Sequence, residues 1–208
     1  MDVFKVENGI IVGNSYPADV QENPIARMLL NNFYKTLKTL LSSISFSSIH
    51  EVGCGEGLIL DHLKDFGVPV FGSDISRSVL DECSRNLGNP AGITLVQSDI
   101  YELDTEKYSA DLVVFCEVLE HLPRVGDALE IVRKLSKEYA VISVPHEPLW
   151  RALNLLRFKY VRGLGNTPGH IQHWTPKAFI NLVSKYFTVV SIRKPTPWII
   201  LLCKKRDS

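Results

Sequence analysis

The chain has 208 residues, of which 45% are hydrophobic and 22% are charged. This size and composition predict one globular domain spanning 1–208. Lysine plus arginine equal aspartate plus glutamate, 23 against 23, which argues against a nucleic-acid partner because such binders usually carry a basic excess. No apolar run is long enough to cross a membrane, the first residues do not resemble a signal peptide, and the four cysteines lack paired spacing. We therefore expect a cytoplasmic protein with reduced thiols.

The predicted elements begin with an N-terminal arm and helix, 1–45. Residues 3–12 alternate around an Asn-Gly pair, which predicts a small hairpin or an ordered arm. Asn23 and Pro24 suit the cap and first position of a helix, and apolar residues at helical spacing continue it. Tyr16, ahead of this helix, is interpreted either as a packing aromatic or as a lid residue over a bound ligand.

Strand and helix patterns alternate through the predicted core, 46–145. The predicted strands are 48–52, 68–75, 93–96, 111–116 and 139–144, and the predicted helices are 58–66, 76–87 and 126–136. A closing segment, 175–208, adds a helix to Phe187 and two strands, 188–192 and 198–203. Such alternation indicates a doubly wound, mostly parallel sheet. The last connection is too short for a crossover helix, so we predict an α/β fold whose seven-stranded sheet ends in an antiparallel hairpin.

A glycine-rich loop follows the first strand of this core. Gly53, Gly55 and Gly57 occupy alternate positions before a helical pattern that starts at Leu58. Glycines at a strand-to-helix turn allow positive φ and let a ligand approach the backbone closely. Dinucleotides and S-adenosylmethionine both use such loops, and the Gly-x-Gly-x-Gly spacing argues against a nicotinamide dinucleotide.

Four motifs stand at the ends of predicted strands. They are Glu51-Val52-Gly53-Cys54-Gly55-Glu56-Gly57, Asp74-Ile75, Ser98-Asp99-Ile100 and Cys116-Glu117-Val118-Leu119-Glu120-His121-Leu122. Ligands of open α/β sheets bind at the carboxyl ends of the strands. With the closing hairpin, these motifs make the chain resemble class I S-adenosylmethionine-dependent methyltransferases, type 11/12-like small-molecule members above all, over essentially its whole length. The resemblance implies a Rossmann-like methyltransferase fold.

The resemblance also implies a set of cofactor contacts at the strand ends. It places the methionine moiety against Glu51, Gly53 and Gly55, the ribose on Asp74, the adenine on Asp99, Ile75 and Ile100, and the transferable methyl above Cys116 and Glu117. The chemistry agrees, because S-adenosylmethionine is a cation without phosphate and needs carboxylates and carbonyls around it. Asp74 alone does not distinguish S-adenosylmethionine from a dinucleotide, since dinucleotide-binding proteins place an acid at a similar position.

A substrate-side insertion, 146–174, separates the core from the closing segment. Its first half, 149–161, is interpreted either as a cap helix over the active site or as an apolar, basic-edged lid for a lipid-like substrate or transient membrane contact. Its second half is glycine-rich and carries His170 and His173.

Acidic and histidine side chains on the substrate side suggest catalysis or metal binding. Glu117, Glu120 and His121 would share one face of a helix, and with His170 they could hold a divalent metal or simply line the pocket. Small-RNA 2′-O-methyltransferases carry a similar Glu-x-x-Glu-His segment and later His, and ubiquinone-pathway O-methyltransferases look related there; this resemblance implies a divalent cation. The candidate catalytic residues are therefore Glu120, His121 and His170.

The expected function is methyl transfer from S-adenosylmethionine to an oxygen or carbon of a small molecule. A hydroxyl or acidic-carbon acceptor requires a base or a bound metal. His121 or His170 could be the base or a metal ligand. Two alternatives are a cofactor-binding regulatory protein without turnover and an RNA 2′-O-methyltransferase.

Overall fold

The computed structural model describes residues 5–7, 10–12, 23–88, 91–147, 149, 155, 164, 167 and 169–206. Tyr16, the predicted lid residue, lies outside these ranges. So does most of 149–161, the predicted cap helix or membrane-contacting lid, of which only Leu149 and Leu155 are described.

The described strands and helices follow the predicted order. The strands are β1 (Lys5–Glu7), β2 (Ile10–Val12), β3 (Ile49–Val52), β4 (Val70–Asp74), β5 (Ile93–Gln97), β6 (Ala110–Cys116), β7 (Ser136–Pro145), β8 (Phe187–Arg193) and β9 (Trp198–Lys205). The helices are α1 (Pro24–Leu41), α2 (Leu60–Leu63), α3 (Arg77–Leu87), α4 (Val125–Leu135) and α5 (Pro176–Val183), with 3₁₀ turns at Lys64–Phe66, Ile100–Glu102 and Leu119–His121.

The seven main strands form one sheet in the order β5-β4-β3-β6-β7-β9-β8. The first five are parallel, and β9 runs antiparallel to both β7 and β8, which confirms the predicted α/β sheet with a C-terminal antiparallel hairpin. β1 and β2 pair separately as a small antiparallel sheet. Strand order changes direction between β3 and β6, so the residues after Val52 and Cys116 lie at a topological switch point, where ligands bind in such sheets.

Local side-chain chemistry explains where three of the five described helices begin. Asn23 Oδ1 accepts from the amides of Ile25 and Ala26 at 2.9 and 3.3 Å, and Ser76 and Thr175 cap α3 and α5 in the same way. Two boundaries were predicted wrongly. The 58–66 helix is one short α-helix followed by a 3₁₀ turn, and the last helix ends at Val183, because Phe187 already pairs in β8.

The core lies on both faces of the sheet. Alternate residues of β6 divide between them: Leu112 and Val114 pack with α1, whereas Val113 and Phe115 pack with α4 and α5. Residues 112–116 are all buried, as expected of a central strand covered on both sides. This rigid centre fixes the strand ends from which the site is built.

Candidate active site

The glycine loop (Gly53–Gly57) is held to the end of β4 by its own backbone. The amides of Gly53 and Cys54 both donate to the Ser73 carbonyl, at 2.7 and 2.9 Å. Gly53, Gly55 and Gly57 have φ of 75°, 52° and 87°, a region that side chains other than glycine rarely adopt. The loop conformation is therefore set by its own backbone hydrogen bonds and by the glycines at these positions.

Two of these glycines are needed for different reasons. A methyl group added at Gly53 would come within 2.4 Å of Val118 Cγ2, so this glycine lets the segment after β6 pack against the loop. A methyl group added at Gly55 would meet none of the described residues within 4 Å, so they leave open space in front of this glycine. A ligand can approach the backbone there.

Asp74, at the end of β4, braces the loop. Its Oδ2 accepts from the Gly55 amide at 3.0 Å and its Oδ1 accepts from the Ser76 amide at 2.9 Å. At the next strand end, Asp99 Oδ1 accepts from the Tyr101 amide at 3.0 Å. Both predicted ligand-binding acids are thus fixed at neighbouring strand ends, at the edge of the sheet where the loop lies.

The two predicted adenine-packing residues differ in exposure. Ile75 is 40% exposed and has apolar surface to offer a ring, whereas Ile100 is only 8% exposed and packs with the core. Cys116 is also buried, at the end of β6. Burial raises the pKa of its thiol well above the usual value, so this sulfur is an apolar packing group at neutral pH.

Glu51, on β3 beneath the loop, is a buried acid with one unsatisfied oxygen. The residue is 2% exposed, and Glu51 Oε2 has no hydrogen-bond partner within the described part of the chain. Burial, together with the nearby Cys83 and Asp74, raises the pKa of Glu51 well above its usual value. A buried carboxyl oxygen in this state calls for a donor or a cation that the described residues do not supply.

Glu117, the first residue after β6, is held in a strained backbone conformation. Its φ is 60°, which is unusual for a residue with a side chain and is typical of functional sites. Its carboxyl oxygens accept from Ser143 Oγ at 2.7 Å and from Trp198 Nε1 at 2.8 Å. Burial raises the pKa of Glu117 to about 8, against the opposing effect of these two hydrogen bonds.

A second group of side chains, the acid–histidine cluster, consists of Glu120, His121 and His170. One potential metal-ligand atom from each lies within 4.8 Å of the other two. The two imidazole centroids are 4.9 Å apart with the rings nearly perpendicular. The structure thus brings together three of the four predicted metal-binding side chains. Glu117 is not in this group, because the turn at Leu119–His121 begins after it and its carboxyl group is bound by Ser143 and Trp198.

Backbone contacts explain how residues 50 positions apart become neighbours. The amides of Ile171 and Gln172 donate to the Glu120 carbonyl at 3.0 and 3.1 Å, and Gln172 Nε2 donates to the Leu122 carbonyl at 3.3 Å. His173, the other histidine of the insertion, is exposed and is not part of the cluster.

The imidazole of His121 is oriented by a backbone carbonyl. His121 Nδ1 lies 3.0 Å from the Gly169 oxygen, and a carbonyl can only accept, so Nδ1 carries the proton. Loss of water around the ring and the facing His170 lower the pKa of His121. The neutral ring therefore presents Nε2 as an electron-pair donor.

Glu120 is almost fully buried and incompletely bonded. It is 1% exposed, and among the described residues its Oε2 has no hydrogen-bond partner. Burial, with Glu117 and Glu147 nearby, raises the pKa of Glu120 well above its usual value. The cluster is therefore a pocket of electron-pair donors in which a positive charge would be stabilised.

Glu147 is a site residue that the sequence did not single out. Its Oε1 lies 2.7 Å from His170 Nδ1, and both residues are buried, at 3% and 8% exposure. The available signal was its position two residues beyond the end of β7, at the same edge of the sheet as the other acids.

The comparison with protein families identifies the class. Residues 50–142 match the family model described as "Methyltransferase domain", and this segment contains the glycine loop, Asp74, Asp99 and the cluster residues Glu120 and His121. Residues 50–142 thus belong to a methyltransferase domain, and the seven-stranded sheet with antiparallel β9 has the fold of the class I S-adenosylmethionine-dependent methyltransferases.

Curated relatives come from the genus Rickettsia. The chain is 30% identical over 158 residues to the ubiquinone biosynthesis O-methyltransferase of Rickettsia bellii (strain OSU 85-389), covering 74% of this chain and 60% of that protein. The corresponding protein of Rickettsia conorii is 31% identical over 139 residues, 65% of this chain and 45% of its own length. The chain thus spans 60% or less of these relatives.

Solved structures share the fold. The methyltransferase domain of bacterial CtHen1 superposes with a TM-score of 0.67 at 24% identity, over 85% of this chain and 99% of that one. Magnesium protoporphyrin IX methyltransferase from Synechocystis PCC 6803, with bound S-adenosylhomocysteine, superposes with a TM-score of 0.66 at 17% identity, over 88% of each chain. In the part of this chain that the structure describes, no helix is both long and apolar enough to cross a membrane.

Proposed function

We propose that this protein binds S-adenosylmethionine at the glycine loop and transfers its methyl group to a hydroxyl of a small molecule, with a divalent cation bound by Glu120, His121 and His170. The observation that carries the proposal is the convergence of these three donor side chains within 4.8 Å, one of them the buried Glu120, whose Oε2 has no hydrogen-bond partner in the described part of the chain. The O-methyltransferase names of the Rickettsia relatives support a hydroxyl acceptor.

The loop residues suit a cationic cofactor. Open space in front of Gly55 leaves room for the methionine moiety, and the unsatisfied oxygen of Glu51 can accept from an ammonium group. Asp74 can accept from the ribose hydroxyls, and exposed Ile75 can cover one face of the adenine. Asp99 is the proposed acceptor for the adenine amino group, at the adjacent strand end.

The cluster suits a first-row transition ion better than magnesium. Two of its three donors are imidazole nitrogens, which Mn²⁺, Co²⁺ and Zn²⁺ accept, whereas Mg²⁺ favours an all-oxygen, largely hydrated shell. A bound cation of this kind supplies Lewis acidity, which makes a coordinated hydroxyl easier to deprotonate. Glu117 is excluded from the proposed ligand set because its carboxyl group already accepts from Ser143 and Trp198.

The protein's own residues supply alignment and a proton acceptor. Methyl transfer is an in-line displacement at carbon, so the acceptor oxygen must be aligned with the breaking carbon–sulfur bond. Contact between Val118 and Gly53 joins the acceptor side directly to the cofactor loop, which fixes their separation. Neutral His121 has a single available electron pair, on Nε2: with the cation bound this nitrogen is a ligand and the coordinated hydroxyl loses its proton to solvent, whereas without a cation the same nitrogen would be the base for the hydroxyl proton.

The test uses methyl-labelled S-adenosylmethionine and a bacterial extract separated into small-molecule and RNA fractions. We expect label in the small-molecule fraction, dependent on added Mn²⁺, and lost with Glu120→Gln. Glu130→Gln, which removes an acid on the outer side of α4, is the matched control and should retain activity. Transfer that is unaffected by a chelator and by Glu120→Gln would contradict the metal site.

A second candidate is an RNA 2′-O-methyltransferase, which the Glu117-Val118-Leu119-Glu120-His121 motif favours locally. The zero net charge weighs against it, since RNA binding depends on phosphate contacts. Label in the RNA fraction, with binding that weakens steeply as salt is raised, would favour this candidate. A cofactor-binding protein without turnover would label neither fraction.

A further inference from the structure

Glu147 and His170 form a buried acid–imidazole pair beside the proposed metal site. Glu147 Oε1 and His170 Nδ1 are 2.7 Å apart, and the side chains are 3% and 7% exposed, respectively. Pairs buried to this extent are poor contributors to stability, because removing both groups from water costs about as much as their attraction returns. A positional role explains the pair better than a stabilising one.

The pair determines which nitrogen of His170 carries the proton. A carboxylate at hydrogen-bond distance from Nδ1 favours the tautomer in which Nδ1–H donates to Glu147. In that tautomer the electron pair of the neutral ring is on Nε2, at the other side of the imidazole. His121 is arranged in the same way by the Gly169 carbonyl, so both rings of the cluster have Nδ1 directed at an acceptor.

Backbone contacts make Glu147 a rigid support. The amide of His146, its neighbour, donates to the Pro197 carbonyl at 2.8 Å, and Leu149 N donates to the His146 carbonyl at 3.0 Å. His170 itself is tied through its amide to the Thr167 carbonyl at 3.1 Å. Glu147 thus contacts the His170 ring from a position just after β7, which is 23 residues away from His170 in the sequence.

We propose that Glu147 is a positioning residue: its carboxylate fixes the Nδ1–H tautomer and orientation of His170, so that Nε2 is the atom offered to the divalent cation. This inference rests on the proposed metal site for its consequence, but not for the tautomer itself. Outer carboxylates of this type typically change metal affinity about 10- to 100-fold when they are removed.

The first measurement is the ¹⁵N–¹H pattern of histidine-labelled protein without metal, with the His170 signal assigned by its loss in His170→Asn. We expect the Nδ1–H tautomer in the wild type and in Glu147→Gln, whose amide oxygen can accept the same proton. In Glu147→Ala we expect a shift toward the Nε2–H tautomer. An Nε2–H tautomer in the wild type, or an unchanged pattern in Glu147→Ala, would overturn the proposal.

The second measurement is Mn²⁺ binding by calorimetry, with S-adenosylhomocysteine binding as the check on folding. We expect about 10- to 100-fold weaker Mn²⁺ binding in Glu147→Ala, less than about 10-fold in Glu147→Gln, and no change in Glu130→Gln. S-adenosylhomocysteine affinity should stay within about twofold in all three, because no hydrogen bond among the described residues joins Glu147 directly to the glycine loop. Mn²⁺ affinity unchanged in Glu147→Ala would contradict the proposal. A wild type that binds no Mn²⁺ but shows the Glu147-dependent tautomer would instead contradict the metal site while supporting the positioning role.

Discussion

The glycine loop and the acid–histidine cluster lie at adjacent strand ends, but they reach their shapes in opposite ways. The loop is fixed by backbone bonds to Ser73 and Asp74 and by left-handed glycines. The acid–histidine cluster combines buried Glu120 and His170 with the more exposed His121, and Glu120 and the neighbouring Glu147 each retain a carboxyl oxygen without a hydrogen-bond partner among the residues described. The backbone of the loop is held by its own hydrogen bonds, whereas a cation would supply the cluster with an interaction that the described residues do not provide.

This difference predicts which perturbations each region tolerates. A preformed backbone site is damaged by added volume or strain, because the protein cannot reshape it cheaply. A site built from incompletely bonded acids is damaged by the loss of a donor atom or of the ion. The predictions below separate these two sensitivities.

The largest effect is expected from Gly53→Ala. The new methyl group would lie 2.4 Å from Val118 Cγ2 at φ 75°, so strain and overpacking combine to lower the free energy of unfolding by about 4 kcal/mol. Gly67→Ala is the matched control: at φ 68° it meets nothing within 4 Å and should cost only about 1 kcal/mol. Urea denaturation measures both.

The double variant Gly53→Ala/Val118→Ala completes this test. Shortening Val118 should recover part of the loss, because the clash is removed while the backbone strain remains. No recovery in the double variant would show that contact with Val118 is not what requires glycine at this position.

Acid should destabilise the loop side through His50. This buried ring lies 2.8 Å from the Tyr108 carbonyl through Nδ1 and 2.9 Å from Ser73 Oγ through Nε2. Burial lowers the pKa of His50 from 6.5 to about 4, against the opposing effect of the Tyr108 hydrogen bond. Between these values the His50 ring binds more protons in the unfolded chain, so the contribution of His50 to stability falls as pH is lowered from 6.5 to 4, by on the order of 3 kcal/mol.

The check is the free energy of unfolding across that pH range. His50→Gln should be less stable at pH 7 but show a smaller loss on acidification, while His62→Gln, on α2, should keep the wild-type slope. If the free energy of unfolding of His50→Gln fell with pH as steeply as that of the wild type, the acid sensitivity would belong to another group.

A smaller effect is expected from Trp198→Phe. The ring still packs near Phe33, whose centroid is 5.2 Å away, but the Nε1 donor to Glu117 is lost, at a cost of about 1 kcal/mol. Because Glu117 is outside the cluster, Mn²⁺ affinity should not change. Tighter Mn²⁺ binding would indicate that a released Glu117 becomes a ligand, as the sequence first suggested.

Much of the fold was predictable because its signals are local. The caps at Asn23, Ser76 and Thr175 act within three residues of themselves, and the alternation of strands and helices predicts the parallel sheet. The short link between the last two strands correctly predicted their antiparallel pairing, since five residues cannot cross the sheet.

The cluster was only partly predictable because its decisive contacts are distant in sequence. Trp198 is 81 residues from Glu117, and its indole donor binds the carboxyl group that the sequence assigned to the metal. Glu147 is 23 residues from His170, and no spacing rule relates them. Residue types at strand ends identified the region of the site, whereas the pairing of its side chains depends on how β7, β9 and the histidine-bearing loop meet.

The most direct test is an Mn²⁺ titration of metal-stripped protein, followed by calorimetry, comparing the wild type with Glu120→Gln. We expect one site in the wild type, binding at least about 100-fold weaker in Glu120→Gln, and S-adenosylhomocysteine affinity within about twofold in both proteins. Equal Mn²⁺ binding by the two proteins, or a wild type that binds no divalent ion yet transfers methyl groups at full rate, would contradict a metal site built from this cluster.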